Sequence, residues 1–376
     1  MLKIAKRFIQ LIREDTVLFI SGLLAVLSML LVPPSPAYLT YIDFRVLGLL
    51  FCLMAVVAGY DETGIFVLLS EKLLMRVANT RSISFVLVIL CFLSSMWITN
   101  DVALITFVPF TILILTMTDK MDYLLRIIVL QTIAANLGSM LTPVGNPQNL
   151  YLYSYYSVPI GEFLSITFPF VALSSLLLII CISFIPKEHI SFTLQNEKKT
   201  NRNRPYRIIL YGVLFLVCLA CVLHFIDYRI TFLLVFFSIL LFDRKVLKRV
   251  DYFLLLTFVF FFIFVGNIGS IPAIRELLAS LLKSRELLVA VLASQLISNV
   301  PAAVLLSAFT GEYRAMILGA DLGGLGTLVA SLASLISYKF YCRTSNAEKG
   351  RYLKEFTCYN LCFLAVLYLF YLLWQA

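Results

Sequence analysis

Polar residues able to bind an ion or a small solute interrupt this apolar chain, most densely at residues 137–149, LGSMLTPVGNPQN. Two prolines remove backbone donors there, and Gly145 allows angles that other residues avoid, so a helix cannot continue unbroken. The freed carbonyls of Thr142 to Gly145 can ligate a cation. The segment therefore predicts a binding site at the opening of a broken helix. Its side-chain amides can bind a solute of either charge, and they belong to Asn146, Gln148 and Asn149.

A second opening is predicted at residues 323–327, GGLGT, where Gly323, Gly326 and Thr327 offer a flexible backbone and a hydroxyl. The preceding ADLG repeats the pattern of the ANLG before the first opening, so Asp321 stands where Asn136 stands. An acid within an apolar helix is costly in a membrane and is by default a functional hypothesis. We expect Asp321 to bind a coupling cation or to carry a proton, with a structural role as the alternative.

Two polar triplets, residues 99–101 (Thr-Asn-Asp) and 298–300 (Ser-Asn-Val), each separate two short apolar runs. Where two short helices meet at such a tip, the N-terminus of the returning helix presents free N–H groups that favour an anion. Asn100 and Asn299 add amides, although an interhelical hydrogen bond is the simpler use of a single membrane Asn. Asp101 has two open interpretations, a place in the solute site or the cap of the returning helix.

The composition identifies the class of protein, because 61% of the 376 residues are hydrophobic, only 14% are charged, and the mean hydropathy is +0.97. A soluble globular domain is excluded, and an all-α protein that crosses the membrane several times is predicted. The net charge of +9 reflects the basic cytoplasmic loops of such proteins, so no nucleic-acid partner is expected. The scattered cysteines and two histidines form no metal or catalytic motif, and we expect neither an enzyme nor a cofactor.

The first part of the chain divides into an N-terminal segment and a first repeat. Residues 1–43 hold a basic interfacial helix and the first span, and 44–185 form the repeat. Its hairpin, 82–117, has two apolar arms of sixteen residues. Each arm reaches about 24 Å, short of the roughly 30 Å hydrocarbon core, which predicts a re-entrant hairpin. The other elements are a span at 46–60, an amphipathic helix at 63–78, a broken helix at 123–157 and a long span at 160–185.

The second part begins with a basic cytoplasmic linker, 186–205, and two connecting spans within 206–250. Residues 251–376 then repeat the earlier order of elements. The arms of the second hairpin, 286–309, are about 17 and 14 Å long, so neither can span the bilayer. The other elements are a span from 252, an amphipathic helix at 271–282, a broken helix at 314–336 and a closing span at 356–374.

The distribution of Lys and Arg predicts the orientation. With a cytoplasmic N-terminus, 24 of the 30 basic residues lie inside, where membrane proteins collect them. The two hairpins then enter the membrane from opposite sides, so the two repeats are inverted, as in a carrier that works by alternating access. The six basic residues outside are Arg45, Arg229, Arg275, Lys283, Arg285 and Arg314.

Four segments resemble the citrate-transporter-like permeases of the ion transporter superfamily, which also includes the arsenite permease and a sodium/proton antiporter branch. The resemblance covers about residues 46–374 and is to bacterial permeases of the divalent anion:sodium symporter type. It implies solute and Na⁺ at the tips and openings, separate scaffold and transport regions, and a homodimer in the cytoplasmic (inner) membrane. The segments are ITNDVAL (98–104), ANLGSMLTPVGNPQNLYLY (135–153), SNVPAAVLL (298–306) and GGLGTLVASLASLISY (323–338).

The tips depart from the pattern of the dicarboxylate carriers in this superfamily, which have Ser-Asn-Thr at both. Here the first tip has an acid, Asp101, and the second has Val300 in place of the hydroxyl. Recognition of di- and tricarboxylates is therefore in question. No cysteine cluster lies at the tips, so direct thiolate binding of arsenic is not expected.

We therefore predict a secondary active transporter that moves a small anion by alternating access, coupled to Na⁺ or H⁺. Export of arsenite or another metalloid, or Na⁺/H⁺ antiport, is the alternative within transport, and an ion channel is the alternative from another class. No metal is expected beyond Na⁺. The predicted solute-binding residues are Thr99, Asn100, Asp101, Asn146, Gln148, Asn149, Ser298, Asn299 and Thr327. The predicted ion-coupling residues are Asn100, Thr142, Gly145, Asn299, Asp321, Gly323 and Gly326.

Overall fold

The computed structural model describes residues 16–65, 77, 79–190, 205–345 and 347–375, and these are helical apart from turns, loops and one isolated bridge between Asn79 and His189. Short 3-10 turns lie at Met121–Tyr123, Val246–Arg249 and Leu328–Ala330. The helices are α1 Thr16–Leu31, α2 Tyr38–Tyr41, α3 Phe44–Thr63, α4 Thr80–Ser94, α5 Asn100–Met117, α6 Leu124–Ser139, α7 Pro147–Tyr155, α8 Ile160–Ser183, α9 Pro205–Val222, α10 Tyr228–Asp243, α11 Tyr252–Gly269, α12 Pro272–Leu282, α13 Glu286–Ile297, α14 Asn299–Ser307, α15 Tyr313–Leu322, α16 Leu332–Tyr341 and α17 Lys349–Gln375.

Five of these helices, α3, α5, α8, α11 and α17, are long and apolar enough to cross a membrane. Shorter apolar helices accompany them in α1, α4, α9 and α13. Large apolar side chains on their outer faces, such as Leu30, Leu296 and Leu373, are exposed, as expected where a protein surface meets lipid. The prediction of an all-helical, multi-pass membrane protein is confirmed.

The buried apolar side chains form two clusters. The α5 cluster joins mainly α4, α5, α6, α8, α16 and α17 and includes Leu87, Phe107 and Ile133. The α11 cluster joins mainly α3, α7, α9, α10, α11 and α14 and includes Leu49 and Phe258. Helices α13 and α15 contribute side chains to both. The first broken helix therefore passes from the α5 cluster, in α6, to the α11 cluster, in α7.

The two tips have unequal arms. At the second tip α13 has 12 residues and α14 has 9, about 18 and 14 Å, which agrees with the short arms expected from the sequence. At the first tip α4 has 15 residues and α5 has 18, about 23 and 27 Å. The expectation of two equal arms of sixteen residues is therefore wrong there, because Asn100 and Asp101 form the first turn of α5 instead of lying in the turn.

The first opening spans residues 140–146, whereas the proline and amide pattern predicts it at 142–149, two to three residues later. Helix α7 begins at Pro147 because the side chain of Asn146 accepts a hydrogen bond from the Asn149 backbone N–H, and proline suits the first helical position. Gln148 thus lies inside a helix. The second opening runs from Gly323 to Ser331 and is longer than predicted, since a 3-10 turn precedes α16.

Several predicted elements fall wholly or partly outside the described residues. These are the basic N-terminal helix, most of the amphipathic helix at 63–78 and most of the linker at 186–205. The amphipathic helix predicted at 271–282 is α12, of which only Leu282 is buried. The closing span begins earlier than predicted, since α17 starts at Lys349.

A close helix contact makes Gly59 a test of the packing of α3. A Cβ atom at Gly59 would lie 2.0 Å from Cε1 of Tyr211, a fully buried side chain of α9 that has no room to move. We expect Gly59→Ala to cost about 1–3 kcal/mol and to lower the melting temperature by several degrees. Gly48→Ala in the same helix is the control, because its Cβ would meet Tyr228 at 3.5 Å, an ordinary contact. Equal melting temperatures for the two variants would contradict this packing.

Candidate functional site

Both tips and both openings meet at one small cavity, here called the tip cavity. Its volume of about 10 Å³ is room for about one water molecule, so the chain is closed around it in this conformation. Four helices begin at its wall: α5, α7, α14 and α16. The lining residues are Asn100, Asp101, Pro147, Gln148, Leu254, Asn299, Val300, Ser331 and Leu332.

The first tip is hydrogen bonded to the first opening. The backbone N–H of Asn100 donates to the Gly145 carbonyl at 3.0 Å, and its side-chain Nδ2 donates to Oδ1 of Asn136 at 3.1 Å. Its own Oδ1 is buried and has no hydrogen-bond partner. Asn100 therefore holds the opening with its donors and leaves an acceptor at the cavity.

Asn136 joins the two openings. Its Oδ1 also accepts from the Ser331 hydroxyl at 3.2 Å, and its Nδ2 donates to the Gly324 carbonyl at 3.4 Å. The first tip, the first broken helix and the second opening thus meet at a single amide, which is 4% exposed. Asn136 is here a junction and not merely the counterpart of Asp321.

Asp321 is 2% exposed and only half satisfied. Its Oδ1 accepts from Nδ2 of Asn146 at 3.0 Å, whereas its Oδ2 has no hydrogen-bond partner. Asn149 and Gln148 also face the carboxylate, and the buried Oδ1 of Asn149 is likewise without a partner. An unpaired carboxylate oxygen costs free energy when buried, so a cation or a proton at this position would stabilise the fold.

The second tip is strained and packs tightly on the second opening. Ser298 has φ +71° and ψ 154°, a region that costs a residue other than glycine about 1–3 kcal/mol and is found mainly at functional sites. Its hydroxyl donates to the Ala330 carbonyl at 3.4 Å. Asn299 lies against Gly324, where a Cβ atom would be 2.9 Å from the amide nitrogen. A larger residue than glycine would separate the tip from the opening.

Gln295 holds the second opening in shape. Its Nε2 donates to the carbonyls of Gly323 at 3.0 Å and Leu325 at 2.9 Å, and its Oε1 accepts from the Thr327 N–H at 2.9 Å. Gln295, Asn136 and Ser331 were not among the residues predicted from the sequence. The one available signal was the match of Asn136 with Asp321, because Gln295 and Ser331 lie in ordinary helical surroundings.

Four of the predicted site residues line the cavity, namely Asn100, Asp101, Gln148 and Asn299. Among the predicted residues that do not line it, Thr327 and Thr142 are not fully buried. The side chain of Thr327 is exposed, and its backbone N–H is the group that is used. Thr142 is half-buried and donates to the Met96 carbonyl. Asp101 is not the N-cap of α5, because Thr99 occupies that position; Asp101 lies in the first turn and lines the cavity.

The backbone of the first opening is compact. A Cβ atom at Gly145 would lie 2.1 Å from the Ser139 carbonyl oxygen, so only glycine fits there. The Gly145 carbonyl accepts from Asn100, and the Thr142 carbonyl accepts from the Gly145 N–H at 3.2 Å. Gly326 has φ +110° and lies against Oε1 of Gln295. The glycines therefore allow the openings to fold back on their own helices.

The family model described as citrate transporter matches residues 3–315, which include both tips and the first opening. The chain belongs to this citrate transporter family. It is therefore a membrane transporter and not an enzyme, and the resemblance found in the sequence is confirmed.

Three similar proteins add context to the family. An uncharacterized transporter of Methanocaldococcus jannaschii is 31% identical over 90% of this chain and 93% of its own length. The inner membrane protein YbiR of Escherichia coli is 30% identical over 79% of this chain and 80% of its own length. The silicon efflux transporter LSI3 of Oryza sativa subsp. japonica is 36% identical, over 30% of this chain and 22% of its own length.

Replacing Asn146 tests the contribution of its hydrogen bond with Asp321 to the stability of this transporter. Asn146→Ala removes the cap of α7 and leaves both carboxylate oxygens of Asp321 without the amide donor. We expect it to lower the melting temperature clearly more than Asn79→Ala, which removes a similar asparagine cap from α4, worth about 1 kcal/mol. Adding Asp321→Asn to Asn146→Ala should restore part of the loss. Equal losses for Asn146→Ala and Asn79→Ala would mean that the Asp321 contact contributes nothing.

Proposed function

We propose that this transporter is a secondary active carrier that moves a small anion across the cytoplasmic membrane, coupled to Na⁺ or H⁺. The observation that supports it best is the meeting of four helix N-termini at the tip cavity. Each N-terminus carries a partial positive charge, so together they favour an anion. None of the nine lining residues is basic, and the amides of Gln148 and Asn299 supply further donors.

Asp321 is the proposed coupling residue. Its free Oδ2 and the free Oδ1 of Asn149 are oxygen ligands of the kind that Na⁺ prefers, and a proton on Oδ2 would equally remove the unpaired charge. The carboxylate is bonded to Asn146, the residue that caps α7 at the cavity. Binding of a cation or proton to Asp321 and closure of the tip cavity would thus both act on the N-terminus of α7.

Alternating access is supported by the repeated order of elements. In the proposed division, residues 44–185 and 251–376 each hold a span, a helix pair joined at a tip, a broken helix and a closing span. The excess of basic residues on one side favours a cytoplasmic N-terminus and an inverted second repeat. A homodimer remains part of the proposal, on the resemblance to the family alone.

Export of a neutral metalloid hydroxide is the second candidate. Asp101 faces the cavity and lies within electrostatic reach of Asp251, the cap of α11. These two acids oppose a di- or tricarboxylate but suit the O–H donors of an uncharged hydroxide. The partial match to a silicon efflux transporter is consistent with this candidate.

The tip asparagines test the solute site. A thermal-shift screen of citrate, succinate, phosphate, arsenite and silicic acid, with and without Na⁺, first identifies a stabilising solute. In proteoliposomes, Asn100→Ala and Asn299→Ala should lower its initial uptake rate at least about tenfold. Asn360→Ala is the control, because that buried amide donates only to the Phe356 carbonyl of its own helix.

Each outcome of the uptake experiment assigns a function. Saturable uptake driven by an ion gradient supports the carrier, and stabilisation by arsenite or silicic acid alone favours the second candidate. Wild-type rates in both asparagine variants would contradict the tip site. Rapid flux without coupling would identify a channel.

Replacing Asp321 tests the coupling. Asp321→Asn keeps the shape of the side chain but cannot be charged, so uptake should lose its dependence on Na⁺ or on pH. Glu286→Gln is the matched control, since this buried acid accepts from the Ser284 N–H at 3.2 Å, away from the cavity. An unchanged ion dependence in Asp321→Asn would assign Asp321 a structural role.

A further inference from the structure

Asp61, near the end of α3, bonds to Thr106 on α5 and to Arg249 in the 3-10 turn before α11. The hydroxyl of Thr106, on α5, donates to its Oδ1 at 2.9 Å. Arg249, in the 3-10 turn before α11, lies 3.5 Å from its Oδ2. We call these three residues the Asp61 latch. The carboxylate thus connects the helix that carries the first tip with the helices of the α11 cluster.

Asp61 is held in place by a charge network on the α11 side. Glu62 pairs with Arg249 at 3.0 Å and with Arg207 at 3.0 Å, and Arg207 also pairs with Asp243. The hydroxyl of Tyr211 donates to Asp243 at 2.8 Å. These contacts link α3, α9, α10 and the 3-10 turn on one side of Asp61, and Thr106 is its partner on α5.

Thr106 lies close to the tip on α5. Six residues separate it from Asn100, about 9 Å along the helix, and α5 otherwise packs on α4, α6 and α16. A contact that holds Thr106 therefore also holds the Asn100 amide against the first opening. The same contact resists any movement of the α5 cluster past α3.

The latch can open at little cost. The single O–H of Thr106 is shared between Asp61 and the Val102 carbonyl, which lies 2.8 Å from the hydroxyl oxygen, so when Thr106 leaves Asp61 it can donate to Val102 alone. Arg249 keeps its ion pair with Glu62. The Asp61 side chain is already 25% exposed, so water can replace the lost donor. No buried charge is left unpaired, unlike the case of a fully buried ion pair.

We propose that Asp61 is a positioning residue for transport. Asp61 stabilises the closed conformation by binding Thr106, and it releases Thr106 when the α5 cluster moves. The inference rests on the proposed carrier cycle for its role in transport. The latch itself makes a prediction about access to the tip cavity that needs no solute. The latch and the proposed carrier function can therefore be contradicted separately.

The test measures access to the cavity with a single cysteine at Gln148, in a background whose eight native cysteines are replaced by serine or alanine. Gln148 is 3% exposed in the closed conformation, so a water-soluble maleimide should label it slowly. Thr106→Val and Asp61→Ala should each raise the labelling rate about fivefold, the shift expected from losing one hydrogen bond. The double variant should label no faster than either single variant, because both remove the same contact.

Two controls separate the latch from general loosening. Thr116→Val is the same substitution in the same helix, but its hydroxyl bonds only to Ile112 and Met121 nearby, so labelling should not change. A second reporter, Ser84→Cys, lies fully buried in α4 away from the cavity and should stay unlabelled in every variant.

Unchanged Gln148 labelling in Thr106→Val would overturn the latch, even if Asp61→Ala fails to fold. Equal increases at Gln148 and at Ser84 would also overturn it, because they indicate general loosening. Loss of coupled uptake in the wild type would instead contradict the proposed function and leave the labelling result standing.

Discussion

Every backbone N–H and C=O that an interrupted helix releases inside a membrane must find a partner within the protein, and this constraint shapes the whole site. Backbone groups of both openings are hydrogen bonded to other groups of the protein. Gln295 binds two carbonyls and one N–H of the second opening, and the Asn100 N–H binds the Gly145 carbonyl of the first. The amides that make the chain able to bind a solute are therefore also the groups that make its broken helices stable.

The sequence predicted the interruptions well, because proline, glycine and clustered amides act locally. The end of α6 and the start of α7 follow from the cap at Asn146 and from Pro147, and an error of two or three residues arose from placing Gln148 in the opening. Partners across the fold could not be predicted in this way. In the sequence, Ser331 and Gln295 lie in segments predicted to be helical and carry no signal of their own; only the tertiary structure brings Ser331 to Asn136 and Gln295 to the second opening.

The two broken helices use corresponding positions in different ways. Asn136 has both side-chain groups bonded, with Oδ1 accepting twice and Nδ2 donating to Gly324. Asp321 has one oxygen bonded and one free in an equally buried place. A neutral amide can hydrogen bond to three elements and carries no charge that must be neutralised. A buried carboxylate with one unpaired oxygen is stabilised when a cation or a proton binds to it. The first position therefore suits assembly, and the second suits coupling.

The charge of the solute is limited by the same geometry. A helix N-terminus is equivalent to about half a positive charge, so the four at the tip cavity offset about two negative charges. Asp101 in its ionised form uses one of these, which leaves about one for the solute. A trianion such as citrate would need further positive charge, and no lining residue supplies it. The proposed cation at Asp321 would first satisfy that carboxylate. For the proposed carrier, this charge balance is an argument for a singly charged or neutral solute, although the family model is described as citrate transporter.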